Sequence, residues 1–160
     1  MNKQQIGKCG ELLVQYRLLR CGIDSAPLTT DAGIDLVALA PASRTSFQIQ
    51  VKTNAAPKPG GGRGRLCLDW WLEEESPADF VALVDLSTER IWMLTIEQMA
   101  ALAQQRSGGK LHLYMHLEPE AAPRRKDTPM RDVDFDGYRL EVRIEHLLRW
   151  SPLDRGLAAG

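Results

Sequence analysis

Cysteine is scarce in this chain and poorly spaced for a shared task. The three residues, Cys9, Cys21 and Cys67, are an odd number with no Cys-x-x-Cys pair. That argues against a disulfide framework and a thiolate zinc site, and suits reduced thiols. An excess of one charge is missing too. Twenty Lys and Arg against 21 Asp and Glu leave a formal net charge of −1, so a nucleic-acid partner would have to meet a local basic patch. No apolar run approaches the roughly 20 residues that span a bilayer. The stretch Met1-Asn2-Lys3-Gln4-Gln5 lacks the apolar core of a secretion signal. No segment repeats. These absences lead to the expectation of a cytoplasmic protein with no membrane partner.

What remains is ordinary globular material. The chain has 160 residues, 44% hydrophobic and 26% charged, enough for one domain with a proper core. We expect a single domain over residues 1–160, with a core at about 4–106 and a C-terminal extension at about 107–160.

Periodicity from about Gln4 to Arg20 predicts a helix whose apolar side carries Ile6, Cys9, Leu12, Leu13, Tyr16 and Leu19, with Gly22 as its left-handed stop. A short extended piece near Ala26–Thr29 follows. Strands are expected at about Ile34–Leu39 and Ser46–Thr53. Residues 54–65, with Pro57, Pro59 and a glycine cluster, suit neither helix nor strand. Ala78–Leu86 reads as a buried central strand and Ile91–Leu94 as another. Thr95 can cap a helix to Gln105, ended by Ser107-Gly108-Gly109. A strand at Leu111–Leu117, a polar loop from Glu118 to Asp136 and a helix from Arg139 to Trp150 complete the chain. The last helix should turn Leu140, Ile144, Leu147 and Leu148 inward. This order predicts an α/β protein with a mixed sheet and flanking helices.

Two stretches carry the chemistry: Gly33-Ile34-Asp35-Leu36-Val37 and Phe47-Gln48-Ile49-Gln50-Val51-Lys52-Thr53. Alternation places Gln48, Gln50 and Lys52 on one face of the second strand and Phe47, Ile49 and Val51 on the other. The turn Pro41-Ala42-Ser43-Arg44 pairs the two as an antiparallel hairpin. Pairing brings the Asp35 carboxylate toward the Gln50 amide and the Lys52 ammonium. An acid, an amide oxygen and a lysine suit a hard divalent cation and a phosphodiester.

With Gly7-Lys8-Cys9-Gly10-Glu11 on the preceding helix, Asp35 and Gln50-Val51-Lys52, the chain resembles the PD-(D/E)XK nuclease superfamily over roughly Gly7 to Leu94. The Holliday-junction-resolvase-like and homing-endonuclease-like branches with Gln-Val-Lys are the most similar in motif. The resemblance implies a restriction-endonuclease-like three-layer core and a Mg²⁺- or Mn²⁺-dependent endonuclease acting on DNA, duplex or branched. It implies Asp35 as main metal ligand, Gln50 and the Val51 carbonyl completing the coordination, Lys52 orienting water or stabilising phosphate charge, and Glu11 reaching in from the helix. Cutting both strands of a duplex with so small a domain implies a homodimer. Ile34 stands where the superfamily's namesake proline stands, and Gln50 where most members carry a second acid.

Plainer accounts stand beside these. Asp35 and Lys52 would otherwise form a cross-strand ion pair worth roughly 0.2–1 kcal/mol, and Glu11 would be a partner for Lys8. The loop bearing Lys58, Arg63 and Arg65 is either a surface turn or a basic arm on a phosphate backbone. Arg124-Arg125-Lys126 reads as a solvated loop, its charge blunted by Asp127 and Asp132. His112 and His116 share a strand face with Tyr114 but lack a third metal ligand. Trp70 and Trp71 should divide into one core and one surface ring, with base stacking a minor option. As a whole, the alternative to an enzyme is a catalytically decayed domain of the same fold that binds nucleic acid or protein.

Overall fold

The computed structural model describes residues 1–30, 32–62, 64–118 and 129–154. Helix α1 (Lys3–Arg20) opens on a reciprocal cap, in which the Asn2 side chain accepts from Gln5 N and the Gln5 side chain accepts from Asn2 N, each at 2.9 Å. It closes on Gly22, whose φ of +80° lets Ile23 N reach Leu18 O and Gly22 N reach Leu19 O.

The expected inward side of α1 is corrected. Gly10, Val14 and Leu18 are buried, while Leu12, Tyr16 and Leu19 are 55%, 54% and 61% exposed. Apolar residues surround this helix, so periodicity does not choose a face. Close approach does, because Gly10 and Val14 let the helix lie against the sheet.

That sheet has five strands: β1 (Ser25–Pro27), β2 (Leu36–Ala40), β3 (Thr45–Asn54), β6 (Phe80–Asp85) and β7 (Arg90–Thr95), side by side in that order. β3 and β6 run parallel and the other neighbours antiparallel. The remaining strands, β4 (Lys58–Pro59), β5 (Leu66–Glu73), β8 (Gln105–Ser107) and β9 (Lys110–His116), form a second sheet ordered β4-β5-β9-β8. Among the described residues the further α-helices are α2 (Ile96–Leu102) and α3 (Leu140–Arg149). α1 and α3 cover one face of the first sheet over Phe47, Ile49, Phe80, Leu147 and Trp150. The second sheet and α2 cover the other over Leu68, Trp70, Val81, Leu83 and Trp92. β6 is therefore buried on both faces, as its apolar run predicts. The result is an α/β protein with a mixed central sheet flanked by helices.

Several boundaries differ from expectation. β5 was not anticipated, although Leu68, Trp70 and Leu72 turn inward and Trp71 outward. Lys58 and Pro59 pair with Cys67 and Leu66 in spite of the proline, which an edge strand tolerates. α2 stops at Leu102, and Gly108-Gly109, both at positive φ, form a hairpin turn between β8 and β9. Arg124-Arg125-Lys126 lies outside the described residues.

Before α3, the Asp134 carboxylate accepts from the Arg131 guanidinium at 2.8 Å and from the Met130 and Arg131 amides. The Arg131 hydrogen bond, chiefly, holds its pKa at about 2. A folded value below the unfolded one stabilises above about pH 4, and the gain is lost as pH falls through 2. With both partners partly solvated, on the order of 1 kcal/mol is expected. Urea midpoints of wild type and Asp134→Asn should differ at pH 6 and converge at pH 2.

Candidate active site

The register Leu36↔Ile49 fixes the site. β2 begins at Leu36, and just before it Asp35 N donates to Ile49 O at 2.9 Å. Beyond that bond β3 continues without its antiparallel neighbour. Val51 is the next residue whose main-chain groups face the vacated side. Its N–H would be orphaned there, and the Asp35 side chain takes it: Val51 N donates to Asp35 Oδ2 at 2.6 Å. The Val51 carbonyl faces the same gap. The carboxylate is thus positioned by the end of the strand that carries it.

A cavity of about 570 Å³ opens at this gap. Asp35, Gln50, Val51 and Lys52 line it, and Glu11 enters from α1. All five residues expected at the metal and catalytic site therefore share one space. Sequence reading did not foresee the rest of the lining, which includes Gln4, Gly7 and Lys8 of α1 and Thr29 and Thr30 after β1. The helical spacing of Gln4, Gly7, Lys8 and Glu11 was the available signal. Lys8 Nζ lies 2.7 Å from Glu11 Oε2, so the plainer account of Glu11 holds alongside its place in the cavity.

Gln50 is buried, and its Oε1 accepts from the Ser76 hydroxyl at 2.9 Å. Ser76 sits in the loop before β6, 26 positions away, where no local pattern marks it. The expected basic arm is partly engaged elsewhere. Lys58 Nζ lies 2.9 Å from Asp69 Oδ1, and Arg65 lies 3.4 Å from Glu118. Arg63 lies outside the described residues.

Among the described residues no group of three or more His, Cys, Asp or Glu side chains is placed to hold a metal. The oxygen donors around this cavity include instead the Asp35 and Glu11 carboxylates, the Gln50 amide and the Val51 carbonyl. Such a set fits Mg²⁺ or Mn²⁺, which take oxygen ligands and retain several waters, and the cavity has room for them. Lys8 and Lys52 add positive charge for a phosphate.

No protein-family model matches the chain, and no curated protein matches it in sequence. Solved structures do match in shape. A bacterial homing endonuclease, I-Ssp6803I, superposes with a TM-score of 0.56 at 17% identity, over 99% of this chain and 98% of that one. Hjc, a Holliday junction resolvase from the archaeal hyperthermophile Archaeoglobus fulgidus, gives 0.47 at 18% identity, over 67% and 82% of the two chains. The fold is restriction-endonuclease-like. Among the described residues no helix is long and apolar enough to cross a membrane.

Proposed function

We propose that this chain is a metal-dependent endonuclease that hydrolyses DNA phosphodiester bonds. The observation that carries the reading is the cavity at the start of β2, where Asp35, Gln50, Lys52 and Glu11 converge in a fold shared with a homing endonuclease. Asp35 and Glu11 would hold a Mg²⁺ or Mn²⁺ ion with the Gln50 amide and the Val51 carbonyl. When bound, that ion neutralises phosphate charge and acidifies a water. Asp35 stays oriented because Val51 N–H fixes one of its oxygens. Lys52 places a compact ammonium beside the scissile phosphate, where charge builds as the leaving oxygen departs. Lys8 restrains Glu11 and raises the local positive potential. Lys58 and Arg65, which do not line this cavity, would exchange their carboxylate partners for backbone phosphates farther along the DNA. Two copies of the chain would cut the two strands of a duplex.

The test is cleavage of plasmid, branched and single-stranded DNA with Mg²⁺ or Mn²⁺, comparing wild type with Lys52→Ala. A folded Lys52→Ala should cut about 10- to 100-fold more slowly, because one charge-stabilising group is lost. Equal cutting by the two would remove this role for Lys52.

The Ser76 hydrogen bond favours a second reading. It occupies one lone pair of the Gln50 oxygen, as expected of a decayed site that binds nucleic acid without cutting it. Titration with Mn²⁺ separates the two. The enzyme binds the ion, and Gln50→Glu tightens binding by about tenfold through the added charge. A decayed domain binds nucleic acid equally well with chelator present.

A further inference from the structure

A second cavity, of about 620 Å³, lies on the outer face of the four-stranded sheet, and the cleavage chemistry makes no use of it. Its floor follows from strand alternation. Leu68, Trp70 and Leu72 on β5, with Leu111, Leu113 and Met115 on β9, turn into the core. Asp69, Trp71, His112, Tyr114 and His116 therefore share the opposite face, paired Trp71↔His112 and Asp69↔Tyr114; all but Trp71 line the cavity, and Trp71 stands beside it.

The rings form a continuous row. Trp71 stacks on His112 at 4.0 Å with 7° between planes, His112 lies 5.4 Å from Tyr114, and Tyr114 lies 5.6 Å from His116. Trp71 is 43% exposed, an unusual cost for so large an apolar ring. His112 Nδ1 lies 3.2 Å from Gln105 Oε1 and its Nε2 3.3 Å from Asp69 Oδ2. Opposite the rings, Pro59, Gly60 and Gly61 form a wall with almost no side chain, and nothing lies within 4 Å of a Cβ built on Gly61. His116 Nδ1 is buried without a hydrogen-bond partner among the described residues, a state that costs free energy.

We infer that this cavity is a nucleobase-binding site, in which an unpaired base stacks on Tyr114, whose ring meets that of His116 edge-on at 80°, and offers its polar edge to His116 and Asp69. Flat rings on an open sheet face are a sequence-tolerant platform for bases. A metal is a poorer occupant. No set of three ligating side chains converges there among the described residues, and burial, then the Asp69 carboxylate, push the Cys67 thiol up against the pull of Lys58. Among the described residues the cations that line it, Lys58 and Arg65, are each engaged by a carboxylate. Exchange of those carboxylates for phosphates cancels much of the gain of each phosphate contact, so stacking supplies most of the affinity.

The base comes either from a single-stranded stretch of DNA, a source that rests on the nucleic-acid reading above, or from a free nucleotide. The experiment uses the full chain in EDTA, so that no cutting intervenes. Fluorescence anisotropy follows a labelled single strand of about 12 nucleotides, the same sequence as duplex, and dAMP as competitor. The single strand should bind more tightly than the duplex. Tyr114→Leu should weaken it by about 5- to 150-fold. With Lys58 and Arg65, the two cations among the described residues of the cavity, each meeting a phosphate, log K against log salt should have a slope of about −1.4. Competition by dAMP at equal base concentration identifies a free nucleotide as the source, and its failure identifies the strand. Folded Tyr114→Leu and His116→Gln that bind as wild type does, or no binding of any probe, would overturn the inference. Asp35→Ala, run in parallel, keeps this binding if the site is separate. Loss in Asp35→Ala would move the binding to the other cavity and overturn it as well. Absence of cleavage by wild type bears on the nuclease reading alone.

Discussion

Replacing Asp35 by alanine is expected to abolish metal-dependent DNA cleavage, by on the order of 1000-fold or more. That corresponds to about 4 kcal/mol of lost transition-state stabilisation, typical of a cation that has lost its main anionic ligand. The same variant should also lose stability, because the Val51 N–H that now donates to Asp35 at 2.6 Å would be left without an acceptor. A half-buried orphan donor costs about 1–3 kcal/mol, or roughly 2–4 °C in Tm per kcal/mol for a chain of this size.

Asp35→Asn separates the two effects. Its side-chain oxygen still accepts from Val51 N–H, so Tm should stay close to wild type. Its charge is gone, so Mn²⁺ binding and cleavage should fall as far as in the alanine variant. Plasmid nicking, calorimetric Mn²⁺ titration and thermal melts on the three proteins give the full pattern. If Asp35→Asn cuts at the wild-type rate, Asp35 is a structural strand cap and the cavity is not a metal site. If Asp35→Ala changes Tm alone, the polar face of the hairpin is structural throughout.

The hairpin was legible because three local signals agreed: the turn at residues 41–44, the alternation through Phe47, Ile49 and Val51, and the apolar stretch after Asp35. The face of α1 was not, because Leu12, Tyr16 and Leu19 are as apolar as Val14 and Leu18, and only the partner surface decides between them. The end of α2 was misplaced for a tertiary reason. Gln104 and Gln105 are good helix formers, yet the Gln104 side chain leaves the helix to bracket Tyr114, donating to its carbonyl at 2.8 Å and accepting from its amide at 2.9 Å. Four of the residues around the cavity were legible as a motif, with Glu11 added from the helix upstream. Ser76 was invisible, because its bond to Gln50 exists only after β3 and β6 have paired.

Gly10 and Gly7 look equivalent in sequence and should behave oppositely. A Cβ built on Gly10 would lie 1.9 Å from Thr53 Oγ1, 2.9 Å from Cγ2 and 3.0 Å from Cβ. Thr53 belongs to the strand that carries Gln50 and Lys52, so Gly10→Ala must push α1 away from β3. Overpacking of this kind costs about 1–3 kcal/mol, against which alanine's better helix propensity returns at most about 1 kcal/mol. A Tm lower by roughly 2–8 °C is expected, with slower cleavage because Glu11 moves with the helix. Nothing lies within 4 Å of a Cβ on Gly7, so Gly7→Ala should gain up to about 1 kcal/mol from propensity alone. Thr53→Ala removes the two nearest clashing atoms and should restore most of what Gly10→Ala loses. A double-mutant cycle with a coupling of about 1 kcal/mol or more would place the contact between these two residues. Additive losses would mean that α1 does not rest on β3 at Gly10, and Glu11 would then lack the support that holds it at the cavity.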